Sequence, residues 1–176
     1  MSKNIIMTSR YNFFDFKDVE NSKIDIEEIA HSLSNVCRFG GHCKHFYSVA
    51  QHSVLVSNLV PEPLALIGLL HDAAEAYLGD IPTPLKIMLP DYKRIEKRVE
   101  KYIAKYFGFE YKQIKDVREA DHRALFIEKS ILFPDSPHWD IFDGMILKDT
   151  EHLVPLPPIL AEAAFLERYK KIIINH

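Results

Sequence analysis

The feature that most constrains this sequence is a long apolar segment, Leu64 to Tyr77, whose second half carries His71, Asp72 and Glu75. A segment that is apolar on all sides of a helical projection predicts a helix in the centre of a bundle. Burying three ionisable side chains there costs several kcal/mol for each one unless it is paired or bound to a metal ion. The segment therefore predicts one continuous core helix with a polar cluster inside the fold.

The spacing within this cluster favours a metal site. Asp72 and Glu75 are three residues apart, and His71 and Glu75 are four apart, so on a helix these side chains share a face. A bound cation is the simplest way to compensate the burial of such a group. The alternative is a buried cluster held together by salt bridges alone, without a metal.

A metal site inside a helical bundle needs ligands from facing helices. The preceding predicted helix, Tyr47 to Leu59, offers His52, and a later one, Ile114 to Leu132, offers Asp121. The later helix carries two further acidic residues nearby, Asp116 and Glu119. A lone histidine on a helix is otherwise most often a satisfied core residue, which is the alternative for His52.

Two imidazoles and two carboxylates suit one divalent transition-metal ion better than an all-oxygen magnesium site. We rank Mn²⁺ and Co²⁺ first, because an octahedral site with bound water accommodates both ions. Zn²⁺, Fe²⁺, Ni²⁺ and Mg²⁺ remain alternatives.

The rest of the chain also favours helices. Apolar periodicity predicts helices over Asp25–Ser34, with Asp25 as a cap, over Tyr92–Phe107 and over Ile159–Ile174. Glycines and prolines predict loops over Arg38–His42 and Asp80–Pro84.

The N-terminal part contains an aromatic stretch, Tyr11–Phe16, that predicts a short edge strand or an extended arm. No alternating apolar runs are long enough for a larger sheet. The predicted fold class is therefore all-α, a helical bundle with at most a short N-terminal β arm. The predicted organisation is a single domain over residues 1–176, with residues 1–23 as the arm.

Composition narrows the class of partner. With 176 residues and 47% hydrophobic residues, the chain can bury one core without the help of disulfide bonds or structural metal ions. Its net charge of −3 offers no broad basic face for a nucleic-acid polymer. We therefore expect a small-molecule substrate. No apolar run approaches membrane-spanning length, and the start lacks a signal-peptide core, so no membrane partner is expected. The only two cysteines, Cys37 and Cys43, predict reduced thiols in a cytoplasmic protein.

Four motifs occur in a fixed order along the chain: LSNVCRFGGH from Leu33, FYSVAQHS from Phe46, HDAAEAY from His71 and DIPTPLK from Asp80. This ordered set, within roughly residues 24 to 130, resembles one branch of the HD-domain phosphohydrolase superfamily. That branch includes bacterial 5′-deoxynucleotidases and phage deoxyadenosine triphosphate triphosphohydrolases. The resemblance implies an HD-type helical bundle, often a homo-oligomer of two or more subunits.

The resemblance also implies a role for each site residue. Its metal ligands would be His52, His71, Asp72 and Asp121. Glu75 would be the catalytic carboxylate that orients or deprotonates the attacking water. Asp80 would bind the 3′-hydroxyl of a deoxyribose, and Arg38 and Lys86 would hold phosphate. Phe39, beside Arg38, is a candidate for packing against the base on adjacency alone.

Other interpretations exist for the substrate-binding residues. Arg38 could pair with an acidic residue, Lys86 could be a solvated lysine, and Asp80 could cap a helix starting near Pro82. The roles of the loop histidines His42 and His45 stay open.

The predicted function is a metal-dependent phosphohydrolase that removes 5′-phosphate groups from 2′-deoxynucleotides. The substrate could be a monophosphate or a triphosphate, with deoxyadenosine triphosphate favoured in the second case. The alternative from another class is a non-catalytic nucleotide-sensing or interaction module with an HD fold.

Overall fold

The computed structural model of the protein describes residues 4–110, 114–148 and 152–174. Most of the described residues are helical, which confirms the predicted all-α bundle. The helices are α1 (Ile26–Asn35), α2 (Val49–Leu59), α3 (Ala65–Leu70), α4 (Glu75–Leu78), α5 (Thr83–Ile87), α6 (Pro90–Phe107), α7 (Lys115–Leu132) and α8 (Pro158–Ile174).

A short antiparallel hairpin precedes the helices, as the aromatic stretch predicted. Strands β1 (Ile5–Met7) and β2 (Phe13–Asp15) pair with Ile6 opposite Phe14. The hairpin is fastened to α1 because Thr8 and Asn12 each donate a hydrogen bond of 2.6 Å to Oε1 of Glu28. Phe14 is fully buried, and its ring stacks on that of Tyr77 with the centroids 4.0 Å apart.

Side-chain caps set where the first two helices begin. The Asp25 carboxylate accepts a hydrogen bond from the backbone N–H of Glu27 at 2.8 Å, which confirms the predicted cap of α1. Ser48 caps α2 by accepting from the N–H of Gln51 at 3.2 Å. The second helix therefore starts at Val49, two residues later than the apolar pattern predicts.

The prediction of one continuous helix over Leu64–Tyr77 was wrong. Between α3 and α4 the backbone N–H groups of Ala73, Glu75 and Ala76 bond to carbonyls three residues back, at 3.0–3.2 Å. The chain tightens here into 3₁₀-type turns, although the backbone at His71 stays right-handed. Apolar periodicity reports which side chains are buried, and it does not reveal whether hydrogen bonds close over three or four residues. The His71–Asp72 pair lies at this junction.

The predicted loop over Asp80–Pro84 is also shorter than expected, because α5 begins at Thr83. Pro84 lies in the first turn of that helix, where its missing N–H costs no hydrogen bond. The N-cap position is Pro82, and no side chain caps the helix. Capping of this helix by Asp80 was therefore a wrong alternative.

Close approach of α2 and α3 brings the polar cluster together. A Cβ atom at Gly68 would lie 3.0 Å from Cγ2 of Val60 and 3.1 Å from Cα of Ser57, so only glycine allows this spacing. Helix α7 packs against both α2 and α3, and α8 packs across α1, α2 and α3. In the described part of the chain, no helix combines the length and the apolar character needed to cross a membrane.

Candidate metal centre and active site

Three predicted ligands converge at the junction of α2, α3 and α4. Nε2 of His52 lies 3.3 Å from Nε2 of His71, and Oδ2 of Asp72 lies 3.5 and 3.1 Å from those two nitrogens. Ligand atoms bound to one ion at about 2.0–2.2 Å are separated by about 3.0–3.5 Å. These three side chains therefore have the spacing of a group that could hold a metal ion.

The fourth predicted ligand comes from α7. Oδ1 of Asp121 lies 3.2 Å from Nε2 of His52 and 3.9 Å from Nε2 of His71. Its side chain is 48% exposed, whereas that of His52 is fully buried. The structure thus places Asp121 beside both imidazoles on the open side, next to the group of His52, His71 and Asp72 that could hold a metal ion.

The hydrogen bonds of the two imidazoles leave the correct atoms available for a metal. Nδ1 of His71 lies 2.8 Å from the carbonyl oxygen of Gly68, which can only accept, so Nδ1 carries the proton. Nδ1 of His52 lies 2.6 Å from Oε1 of Glu128. Each ring, once its Nε2 has lost its proton, therefore presents a lone pair toward the other members of the cluster, the arrangement in which metal-binding histidines are usually held.

The histidines and carboxylates of the cluster shift each other's pKa values because their charges are opposite. Burial opposes protonation of His71, but the adjacent Asp72 carboxylate outweighs it and raises the pKa of His71 to about 9. Burial by itself would raise the pKa of Asp72, yet His71 and His52 bring it well below its usual range. Protons therefore occupy the cluster readily, and a cation must compete with them for the imidazoles.

Glu75 begins α4 and is almost completely buried beside the cluster. Its Oε1 accepts a hydrogen bond from Nζ of Lys86 at 3.2 Å, while Oε2 has no hydrogen-bond partner among the described residues. Burial, together with the nearby charges of Asp72 and Asp80, raises the pKa of Glu75 to about 9. This carboxyl group thus has one free buried oxygen and a raised affinity for a proton.

Lys86 is neither a solvated lysine nor free of partners. Its Nζ lies 3.2 Å from Glu75 and 2.7 Å from Oε1 of Glu96, and its side chain is mostly buried. Burial alone would lower the pKa of Lys86, but these two carboxylates raise it well above its usual value. Lys86 therefore stays charged and links α5 to α6.

Arg38 and Phe39 come from the turn between α1 and α2. Nη2 of Arg38 donates to Oε2 of Glu128 at 3.1 Å, and Nη1 lies 3.8 Å from Asp72. Nε of Arg38 is buried without an acceptor in the described part of the chain. The Phe39 ring lies 5.4 Å from the guanidinium group and meets Phe133 edge-on. Arg38 therefore pairs with acidic residues, one of the two predicted alternatives, and retains an unused donor.

Phe39 has a φ of +55°, a left-handed conformation that a residue with a Cβ adopts at a cost of about 1–2 kcal/mol. Such strain persists only where the surroundings enforce it.

Space for a ligand lies beside the cluster. A cavity of about 220 Å³ is bordered by His71 and Asp121 and is otherwise lined largely by apolar side chains such as Ile67, Ile103 and Val117. Asp80 does not line this cavity, and it is half-buried where the charges of Arg38, Asp72 and Lys86 act on it. Burial raises the pKa of Asp80, and the positive charges of Arg38 and Lys86 counteract this effect.

Two acidic residues of this site were missed from the sequence. Glu128 lies seven residues after Asp121, which is two helical turns, in an otherwise apolar stretch of α7. A charged residue on the same face of the helix as Asp121, among apolar neighbours, was the feature of the sequence that could have indicated it. Glu96 lies within the charged helix α6, where nothing distinguishes it from its exposed neighbours.

Fold and site together define a helical protein with a buried His–Asp cluster suited to a divalent metal ion. A family model described as YfbR-like 5′-deoxynucleotidase matches residues 23–126. The chain belongs to the YfbR-like 5′-deoxynucleotidase family, which agrees with the resemblance carried by its motifs.

Individual relatives differ in how much of the chain they match. The uncharacterized protein YfdR of Escherichia coli strain K12 is 41% identical over 170 residues, which are 96% of each chain. An uncharacterized protein of Rhodobacter capsulatus is 38% identical over 104 residues, 53% of each chain. A 5′-deoxynucleotidase of Erwinia tasmaniensis is 39% identical over 57 residues, 30% of this chain and 29% of the relative. Of these three relatives, the one whose name states an activity therefore matches only a short segment of the chain.

Proposed function

We propose that the protein is a metal-dependent 5′-deoxynucleotidase that hydrolyses 2′-deoxynucleoside monophosphates to the deoxynucleoside and inorganic phosphate. The observation that carries the proposal is the convergence of His52, His71, Asp72 and Asp121, with separations of 3.1–3.9 Å for the contacts quoted above, beside the buried Glu75. The membership of the YfbR-like family supports a monophosphate substrate.

One divalent ion would be held by the four converging side chains, with Mn²⁺ and Co²⁺ as the favoured ions. When bound, such an ion lowers the pKa of a water molecule and neutralises charge on a phosphate oxygen. The donor set fits this role, because both imidazoles present Nε2 while their Nδ1 atoms are already engaged. Two carboxylates offset the charge of the ion.

Glu75 would accept a proton from the attacking water at Oε2, its unpaired oxygen, because a cation held at the cluster would offset the negative charges of Asp72 and Asp80 that favour the protonated carboxyl group. Lys86 holds Oε1 of the same carboxyl group, which fixes the orientation of Oε2. Lys86 would also supply positive charge to a phosphate bound beside Glu75. In this proposal its first role is to orient Glu75, and its predicted role as a phosphate ligand is secondary.

Arg38 would donate from its unused Nε to a phosphate oxygen, since this buried donor has no acceptor among the described residues. Asp80 would accept a hydrogen bond from the 3′-hydroxyl, and Phe39 would pack against the base. A 2′-hydroxyl without a partner in such a site would disfavour ribonucleotides.

The proposal is tested with protein stripped by a chelator and assayed with Mn²⁺ or Co²⁺ added back. The substrates are deoxynucleoside monophosphates, deoxynucleoside triphosphates and the matching ribonucleotides. We expect release of inorganic phosphate from deoxynucleoside monophosphates only when metal is present. Asp121→Asn should lower the rate at least about tenfold. The matched control is His122→Gln, since His122 is exposed and its ring contacts Phe142 instead of the cluster.

Other products would identify the rival functions. Release of inorganic triphosphate from deoxyadenosine triphosphate would identify a triphosphohydrolase and contradict a monophosphatase. Nucleotide binding without turnover, with metal bound, would support the sensing module and overturn the proposal.

We also propose that the enzyme acts in the cytoplasm as a homo-oligomer of two or more subunits. The exposed aromatic side chains of Tyr11 and Phe13 on the hairpin are consistent with a contact between copies. Light scattering of the wild type and of Tyr11→Ser would test the self-association, and a monomeric wild type would contradict it.

A further inference from the structure

Glu128 is the most deeply buried charged group next to the proposed site. Its side chain has no solvent exposure, although it is a carboxylate on α7. A carboxylate is expensive to bury, so its partners must account for its presence. Helix α7 therefore presents two acidic side chains to the site, Asp121 at the open edge and Glu128 at the closed end.

The two oxygens of Glu128 have different partners. Oε1 lies 2.6 Å from Nδ1 of His52, and Oε2 accepts from Nη2 of Arg38 at 3.1 Å. His52 is the proposed metal ligand on α2, and Arg38 is the proposed phosphate-binding residue on the turn before α2. One carboxylate thus joins the metal side of the site to the phosphate side.

We propose that Glu128 is a positioning residue that sets the metal-ligating orientation of His52 and the phosphate-binding orientation of Arg38 at the same time. This inference rests on the proposed function, because it requires that His52 binds a metal ion and that Arg38 binds phosphate. Glu128 contacts neither ligand itself.

The hydrogen-bond chemistry explains why a carboxylate is needed. When Nε2 of His52 faces a metal, Nδ1 carries the proton and must donate. Arg38 has donors only, so both partners of Glu128 require an acceptor. An ionised carboxylate provides one acceptor oxygen to each of them. Glutamine of the same size offers one oxygen and one NH₂ group, so one partner would meet a donor and be displaced.

The charge of Glu128 also prepares Arg38 for an anion. The Arg38 guanidinium is nearly buried, and Glu128 together with Asp72 compensates its charge when no phosphate is present. With Nη2 engaged by Glu128, the guanidinium plane is fixed and its unpaired Nε keeps a set direction. An arginine held in this way loses less conformational freedom when phosphate binds.

The test measures ligand binding separately from turnover. The first measurement is the dissociation constant of Mn²⁺ for chelator-stripped protein, by calorimetry, without substrate. The second is the dissociation constant of inorganic phosphate for protein saturated with Mn²⁺. We expect Glu128→Gln to weaken Mn²⁺ binding by about 10–100-fold and to weaken phosphate binding as well.

The matched control is Glu28→Gln. Glu28 is likewise a buried glutamate with hydrogen-bonded partners, Thr8 and Asn12, but it lies under the hairpin, away from the metal ligands. Its substitution should leave both dissociation constants unchanged, because the amide oxygen of glutamine can still accept the two hydrogen bonds that Oε1 accepts. A purely structural role of Glu128 would give this same result.

Glu128→Asp keeps the test decisive if the glutamine variant does not fold. Aspartate retains two acceptor oxygens but is shorter by one methylene, so we expect it to hold one partner and to weaken only one of the two dissociation constants strongly. A folded Glu128→Gln or Glu128→Asp protein with both wild-type constants would overturn the inference. If the wild type hydrolyses no nucleotide but Glu128→Gln still weakens Mn²⁺ and phosphate, the proposed function fails and the role of Glu128 stands.

Discussion

Replacing Glu75 with glutamine should have opposite effects on stability and on activity. The reason is the environment of this carboxyl group, which is almost completely buried and close to the charges of Asp72 and Asp80. These surroundings raise its pKa from 4.5 to about 9. A carboxyl group whose pKa is higher in the folded protein supports folding fully below pH 4.5, and that support is lost as the pH rises toward 9.

The size of the effect follows from the same shift. At pH 8 the solution is about 3.5 pH units above the ordinary pKa of the group. At about 1.4 kcal/mol per unit, the stabilisation gained by removing the ionisable group is at most about 5 kcal/mol. Relaxation around the charge reduces the gain, whereas Lys86 loses little, because Glu75 is mostly protonated at this pH. Lys86 keeps Glu96 at 2.7 Å. We therefore expect Glu75→Gln to stabilise the metal-free protein by about 1–3 kcal/mol at pH 8, or roughly 2–10 °C in melting temperature.

The assay is thermal unfolding of both proteins in a chelator at pH 8 and at pH 4.5. The difference between the variant and the wild type should be large at pH 8 and close to zero at pH 4.5. The same variant should lose about 10²–10⁴-fold in the rate of deoxynucleotide hydrolysis with Mn²⁺. A stability difference that does not depend on pH, or a variant that is less stable at pH 8, would refute the reasoning about the buried carboxyl group.

Three further predictions concern the core and the metal. Phe14→Ala should lower the free energy of unfolding by about 3–5 kcal/mol in urea denaturation, because it removes a fully buried ring that stacks on Tyr77; a loss below about 1 kcal/mol would contradict this. Gly68→Ala should cost about 1–3 kcal/mol and weaken Mn²⁺ binding, since the added Cβ would meet Val60 and Ser57 at 3.0 and 3.1 Å; unchanged melting would show that α2 and α3 separate freely. Removing the metal should lower stability by about 3 kcal/mol when the ion was present at 100 times its dissociation constant, and a melting curve unaffected by chelator would oppose metal binding in the fold.

The fold class could be predicted from the sequence because the apolar periodicity and the capping residues of the helices are visible in it. Asp25 and the apolar spacing behind it predict α1 to within one residue at its C-terminal end. The break between α3 and α4 was not predictable in the same way. It changes hydrogen bonds of the backbone while the apolar side chains keep a nearly helical spacing.

The site was predictable where side chains are unusual for their position. His71 and Asp72 stand out in an apolar segment, and His52 and Asp121 follow from the need for facing ligands. The ion-pair partners of the site residues were harder to predict from the sequence, because they depend on which helices pack together. The link of Lys86 to Glu96 requires the packing of α5 on α6, and the link of Glu128 to Arg38 joins residues 90 positions apart.

The most direct test of the metal site is a crystal structure of the Mn²⁺-loaded protein with anomalous scattering measured at the manganese edge. We expect one strong peak for each chain, about 2.0–2.3 Å from Nε2 of His52, Nε2 of His71 and a carboxylate oxygen of each of Asp72 and Asp121. No peak at this cluster, or a peak too far from either imidazole for a bond, would show that these side chains do not hold one metal ion.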